Sequence, residues 1–251
     1  MGGGGSTGGG AWHQTTAATS SKDILYAVQK GDLYAAFPEG SNAGSYTKIS
    51  SGWGDTRCIA YLNNKLYIIW KNYSQLYLQQ VDPVNKPNGI NKGELFGSNA
   101  RCMVSRGGRL YYVADSTLYV VDPGGGTPTV LTSSWDGATC MASLGDSLYI
   151  AAEPNLYRVD PDNGRIKRKL PGGYARNTTC MTSYNGYLYL VQDTNLYRVD
   201  GETGDRRYLS TEPGTWHHST VMTAIPENLY IVQNGRLYRV NPSNGEYTSL
   251  S

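Results

Sequence analysis

The sequence predicts an all-β chain folded as a six-bladed β-propeller of four-stranded antiparallel blades, and two repeated features carry that prediction. The dipeptide Leu-Tyr occurs twelve times, in six pairs: Leu25-Tyr26 with Leu33-Tyr34, Leu66-Tyr67 with Leu76-Tyr77, Leu110-Tyr111 with Leu118-Tyr119, Leu148-Tyr149 with Leu156-Tyr157, Leu188-Tyr189 with Leu196-Tyr197, and Leu229-Tyr230 with Leu237-Tyr238. Upstream of each pair lies a second shared element. It reads Trp12-His13-Gln14-Thr15-Thr16-Ala17 in the first repeat, Trp53-Gly54-Asp55-Thr56-Arg57-Cys58 in the second and Trp216-His217-His218-Ser219-Thr220-Val221 in the last. Residues 12–251 number 240, so six repeats average 40 residues, a period that belongs to propellers and other arrays.

The repeats run near 12–52, 53–96, 97–134, 135–173, 174–215 and 216–251, behind a Gly-rich N-terminal tail at 1–11. Each contains four short runs of strand composition, such as Thr179-Cys180-Met181-Thr182, Leu188-Tyr189-Leu190-Val191, Leu196-Tyr197-Arg198-Val199 and Arg207-Tyr208-Leu209. Asn185-Gly186 suits the first hairpin and Asn234-Gly235 the second, because both central residues of a two-residue hairpin turn need positive φ. The third and fourth runs are joined by turns such as Asp160-Pro161-Asp162-Asn163-Gly164, where proline sets φ and glycine takes the left-handed position. No stretch has a 3.6-residue period. The first run of each repeat is expected to line a central channel and the fourth to form the rim. No strand need be shared between the first and last blades, so closure falls to packing between their faces, helped by the tail.

Composition narrows the function classes. The formal net charge is +2 with 17% charged residues, which leaves no charge excess for nucleic acid. No apolar run approaches the roughly 18 to 20 residues of a membrane span, and the N-terminus carries no apolar signal core. Cys58, Cys102, Cys140 and Cys180 share one column with Ala17 and Val221, which marks a small buried core position. They are expected to be free thiols, because equivalent residues of neighbouring blades stand about 10 Å apart and a disulfide needs β-carbons within about 4.5 Å. Free thiols favour a reducing, cytoplasmic setting; Asn72-Tyr73-Ser74 and Asn177-Thr178-Thr179 become glycosylation sites only in a secreted protein. No cofactor or metal is implied.

No nucleophile elbow, phosphate loop, dinucleotide fingerprint or metalloprotease helix occurs, so the reading is non-enzymatic. The only histidines, His13, His217 and His218, fall in the first and last repeats, which become neighbours when the ring closes. Asp82, Asp122, Asp160 and Asp200 form a turn column whose carboxylates are expected to bond nearby backbone.

The candidate site is an aromatic column. Trp12, Trp53, Trp135 and Trp216 each begin a repeat, Tyr174 stands in the fifth and Gly97 breaks the pattern in the third. One reading has these rings wedged between sheets. The other has them present flat faces to sugars, with Gln14, Asp55, Asp136, Arg176 and His218 supplying hydrogen bonds, so that repeated sites give avidity toward a multivalent glycan. A third reading is a structural or protein-interaction propeller that forms a homo-oligomer or filament through Met1–Gly10.

Runs such as Leu156-Tyr157-Arg158-Val159-Asp160-Pro161-Asp162-Asn163-Gly164 resemble the strand-turn pattern of quinoprotein-type propeller repeats, over all six repeats. That family's cofactor residues have no counterparts here. The aromatic in each repeat is also similar to the propeller lectins of the tectonin group and the fungal fucose lectins, a resemblance that implies sugar binding. The fucose lectins combine Arg, Glu and Trp in each repeat, and no recurring Arg and Glu stand beside Trp in this chain.

Overall fold

The computed structural model describes residues 12–40, 43–172 and 176–250. It is a six-bladed propeller with no helix among the described residues, each blade one four-stranded antiparallel sheet in sequence order. Blade 1 comprises β1 (Thr15–Ser20), β2 (Leu25–Gln29), β3 (Asp32–Phe37) and β4 (Ser45–Ser51). Blade 2 comprises β5 (Thr56–Leu62), β6 (Lys65–Asn72), β7 (Gln75–Asp82) and β8 (Lys86–Leu95). Blade 3 has β9 (Ala100–Arg106), β10 (Arg109–Ala114), β11 (Thr117–Val121) and β12 (Thr129–Ser133). Blade 4 has β13 (Ala138–Leu144), β14 (Ser147–Ala152), β15 (Asn155–Val159) and β16 (Ile166–Lys169). Blade 5 has β17 (Thr178–Tyr184), β18 (Tyr187–Gln192), β19 (Asn195–Asp200) and β20 (Arg206–Tyr208). Blade 6 has β21 (Ser219–Ile225), β22 (Asn228–Gln233), β23 (Arg236–Val240) and β24 (Tyr247–Ser249). The tail at 1–11, and with it the proposed assembly segment, lies outside the described residues, as does Tyr174.

The Leu-Tyr columns explain why these sheets stack into a ring. Successive side chains of a strand point to opposite faces, and in every second strand both faces are buried. Leu66 packs with blade 1 and Tyr67 with blade 3; Leu148 packs with blade 3 and Tyr149 with blade 5. In the third strand the antiparallel reversal turns leucine the other way, so Leu76 and Leu156 reach the following blade. The outcome is one apolar cluster at each of the six blade junctions. At about 25 cal/mol per Å² of apolar surface, each leucine or tyrosine removed from water at a junction stabilises the ring by about 1.5 to 3 kcal/mol.

Turn chemistry follows the sequence pattern. Asn185 and Gly186 have φ of 46° and 82°, and Asn234 and Gly235 have 47° and 72°. The carboxylates of Asp82, Asp122, Asp160 and Asp200 accept backbone N–H groups two or three residues on, and Asn241 does the same in blade 6. Gly245, at φ 80°, abuts the Leu209 carbonyl of blade 5 so closely that a β-carbon would overlap it.

Blade 1 meets blade 6 through the same face packing, with Trp12, Leu25, Ala27, Tyr230, Val232 and Leu237 in one cluster. Two polar contacts reinforce this junction. Ser20 bonds the Thr223 hydroxyl and the Ala224 carbonyl, both at 2.7 Å. Glu39 of blade 1 accepts from Asn228 and from the Tyr230 hydroxyl, and Arg239 lies 3.3 Å away. Burial first, then the Glu39 carboxylate, raises the Tyr230 phenol well above its usual pKa, so it stays a donor.

Cys58, Cys102, Cys140 and Cys180 are all free and buried. Burial pushes Cys140 up to about 11 and Cys58 up to about 12, and raises Cys102 and Cys180 as well. Since the thiolate is the nucleophile, these thiols are expected to ignore a thiol reagent at neutral pH in the native protein and to react fully in denaturant, as counted by absorbance.

The tryptophan column is packing. Trp12, Trp53, Trp135 and Trp216 are 6%, 4%, 3% and 1% exposed. Blade 3, which has Gly97 in this column, compensates with Tyr112, fully buried at the junction with blade 2 where other blades carry Ala27, Ile68, Ile150, Leu190 or Ile231. The Tyr112 ring stacks on Tyr119 at 4.9 Å and its hydroxyl takes the Phe96 N–H at 3.2 Å. Trp216→Ala and Tyr112→Ala are therefore each expected to lower unfolding free energy by about 3 to 5 kcal/mol in a denaturant titration.

Candidate functional site

The inner strand of each blade starts at one face of the ring and its second strand returns there, so this face carries the blade-to-blade connections and the turns between second and third strands. Each connection is held by a repeated backbone bond. The amide of Trp53 donates to Gly31 O, Trp135 to Ser116 O, Trp216 to Thr194 O and Trp12 to Gly235 O, in each case reaching the turn of the preceding blade at 2.8 to 2.9 Å. The last of these spans the closing junction. Among the described residues the Trp53 indole bonds Ser50 at 2.9 Å, whereas the Trp135 and Trp216 indole nitrogens are buried with no partner there.

This geometry separates the sequence-predicted residues into two sets. The four indoles of the column are inside and leave no face open for a ligand to stack on, because wedging between two sheets removes more apolar surface from water than contact with one sugar would. Gln14, Asp55, Asp136, Arg176 and His218 are exposed on the connections. They are spread around the ring, one to a junction, and do not converge on a single pocket. Asp136 lies in a cleft of about 450 Å³ between blades 3 and 4, with Arg101, Asp115, Ser116 and Glu153. Its carboxylate accepts from the Ser116 hydroxyl at 2.5 Å, Asp115 accepts from the Ser98 amide at 2.5 Å, and Glu153 accepts from the Asn177 amide at 3.0 Å.

The histidines lie on both sides of the blade 6 turn Asn234-Gly235, on two different connections. His13 packs over Gly235, His217 and His218 have ring centroids 5.4 Å apart, and the His218 carbonyl accepts from Asn234. His217 Nδ1 is 2.6 Å from the Gly214 carbonyl. Among the described residues no three His, Cys, Asp or Glu side chains are grouped as metal ligands.

The channel holds the groups that the sequence reading passed over. All six inner strands begin with a β-bulge, each leaving one residue unpaired in register: Thr16, Arg57, Arg101, Thr139, Thr179 and Thr220. A bulge redirects the extra side chain, and all six line a cavity of about 190 Å³ at the channel mouth. Below them a ring of Ala18, Ile59, Met103, Met141, Met181 and Met222 lines both this cavity and a second one of about 120 Å³ toward the opposite face. In the lower part serines join neighbouring inner strands: Ser183 donates to Ser143 O, Ser143 to Ser105 O and Ser105 to Tyr61 O. The signal was present in the sequence, as a Thr-or-Arg column just before the Cys column and a Met column just after it. A larger hollow of about 500 Å³ sits on the outer edge of blade 6, lined by Thr211, Arg239, Asn241 and Glu246 among others.

Comparison by sequence finds nothing, since no family model matches the chain and no curated protein is significantly similar. Comparison by backbone finds 1060 similar solved chains, a breadth that reflects how common the propeller is. The chain is similar to a structure of the nidogen/laminin complex (TM-score 0.73, 12% identity, 90% of this chain and 91% of that one). It is similar to virginiamycin B lyase from Staphylococcus aureus (TM-score 0.65, 11% identity, 94% of this chain and 83% of that one). It is also similar to the tricorn protease (TM-score 0.71, 14% identity), covering 95% of this chain but only 26% of that one. At these identities the likeness is one of fold: a six-bladed β-propeller.

Proposed function

We propose that the chain is a non-enzymatic recognition scaffold that binds one protein partner across the face of its inter-blade connections. One contrast carries this reading. Inside the ring the repeats nearly coincide, with leucine at the same second-strand position of every blade. On the connections they diverge: the two positions after the aromatic column are His13-Gln14, Gly54-Asp55, Ser98-Asn99, Asp136-Gly137 and His217-His218, and Arg176-Asn177 occupy the corresponding stretch of blade 5. A multivalent lectin needs the same contact set in each repeat, whereas a single large partner meets each repeat once and is matched by different groups. The backbone of that face is pinned by the tryptophan amides, so little ordering cost falls on binding. The similar nidogen/laminin structure is itself a complex of two proteins.

The test is to isolate a partner by crosslinking in the cells that make this protein and to measure its affinity by calorimetry. Asp136→Arg and Arg176→Glu are each expected to weaken binding about tenfold or more, while Arg109→Glu, at a hairpin of the opposite face, leaves it unchanged. A glycan array run on the same proteins separates the sugar reading: selective glycan binding that Asp55→Ala, Asp136→Ala or His218→Ala abolishes would replace the protein partner with a carbohydrate.

A further inference from the structure

We infer that the channel mouth on the face of the inter-blade connections is an anion site, in which Arg57 and Arg101 take a carboxylate or phosphate group and the hydroxyls of Thr16, Thr139, Thr179 and Thr220 surround it.

Three independent observations meet here. First, Arg57 and Arg101 come from adjacent inner strands, β5 and β9, at the same register, and line one cavity. That cavity's lining contains no carboxylate, so its two positive charges are uncompensated from within. Second, both side chains are exposed, and neither forms an ion pair or side-chain hydrogen bond among the described residues. Arg101 also lines the adjoining cleft, where the carboxylates of Asp115, Asp136 and Glu153 accept hydrogen bonds from Ser98, Ser116 and the Asn177 amide and keep their charge; Arg57 does not line that cleft. Third, all six positions are bulge residues, so the backbone is irregular in every blade at the one level where these side chains enter the channel. Two other arginines are ion-paired, Arg158 with Asp146 and Glu202, and Arg239 with Glu39.

The chemistry follows from these parts. A concave site of one sign focuses its field into the cavity and concentrates counter-charge there. Guanidinium groups bind the planar or tetrahedral oxygens of carboxylate and phosphate with charge-assisted, often bidentate hydrogen bonds. Threonine hydroxyls both donate and accept; those of Thr16, Thr139 and Thr179 make long bonds to the Val28 carbonyl, the Ala151 carbonyl and the Cys180 sulfur, which an anion would replace. The apolar floor of Ile59 and four methionines limits entry, so the anionic group would sit at the mouth with the remainder of its ligand outside. This inference does not depend on the protein-partner reading, because a free anion and an anionic group on a larger molecule meet the same atoms.

The full chain is titrated by calorimetry at low salt with three probes, inorganic phosphate, succinate and a hexaglutamate peptide, and its melting temperature is followed in parallel, since a ligand that binds only the folded state raises it. Saturable binding of one probe molecule per chain is expected. Arg57→Gln and Arg101→Gln should each weaken it about tenfold, and the double variant should lose it. Arg57→Lys with Arg101→Lys should retain part of it, and Arg109→Gln should leave it unchanged. Phosphate binding above both carboxylates identifies a phosphorylated ligand, and hexaglutamate above succinate identifies an acidic polypeptide segment. Absence of saturable binding by all three probes, or binding that persists in a double variant that still melts cooperatively, overturns the assignment.

Discussion

Burial of both faces of every small sheet is the constraint on which the molecule depends. A four-stranded sheet with a leucine face and a tyrosine face cannot hide either alone, and a stack of such sheets leaves two apolar ends unless it closes. Closing into a ring removes those ends, and the six clusters at the six junctions are the result. The same argument accounts for Tyr112. Where blade 3 lacks an indole, the junction would hold a void, and an aromatic ring from the neighbouring strand fills it.

Closure without an exchanged strand places an unusual demand on the junction of blades 1 and 6. Every sheet is made from consecutive strands, so no hydrogen-bond ladder ties the first blade to the last. The junction is held by the common features, the apolar cluster and the Trp12 amide bond to Gly235, together with Ser20 and the Glu39 group. Glu39 has a counterpart between blades 4 and 5, where Glu202 meets Arg158 and the Tyr149 hydroxyl bonds Gly201. Closure therefore reuses an inter-blade contact already present in the array.

Because packing uses the sheet faces, function is left to the strand ends and to the inner edges. The connections hold a fixed backbone with different side chains in each repeat, and the channel mouth holds six redirected side chains of which two are cationic. A site built from strand ends on a rigid ring needs no lid, so the recognition proposed for this chain would depend on charge and shape at positions the core does not constrain.

The sequence by itself determined the blades: the Leu-Tyr pairs, the Asn-Gly turns and the Asp-Pro turns specify local strands and hairpins, and their six-fold recurrence specifies the ring. It also placed the Cys column in the core, since Cys, Ala and Val share only small size and low polarity. Tertiary structure alone decided which repeated residues face outward. An aromatic column is compatible with a packed wedge or with an open platform, and the choice depends on the distance between blades, which no single repeat encodes; the result buried Trp12, Trp53, Trp135 and Trp216 and left Gln14, Asp55, Asp136, Arg176 and His218 exposed. The mouth ring was hidden for a related reason. Strict alternation assigns residues beside the Cys column to the opposite sheet face, and only the bulge in each inner strand turns Arg57, Arg101 and their threonine counterparts toward the channel.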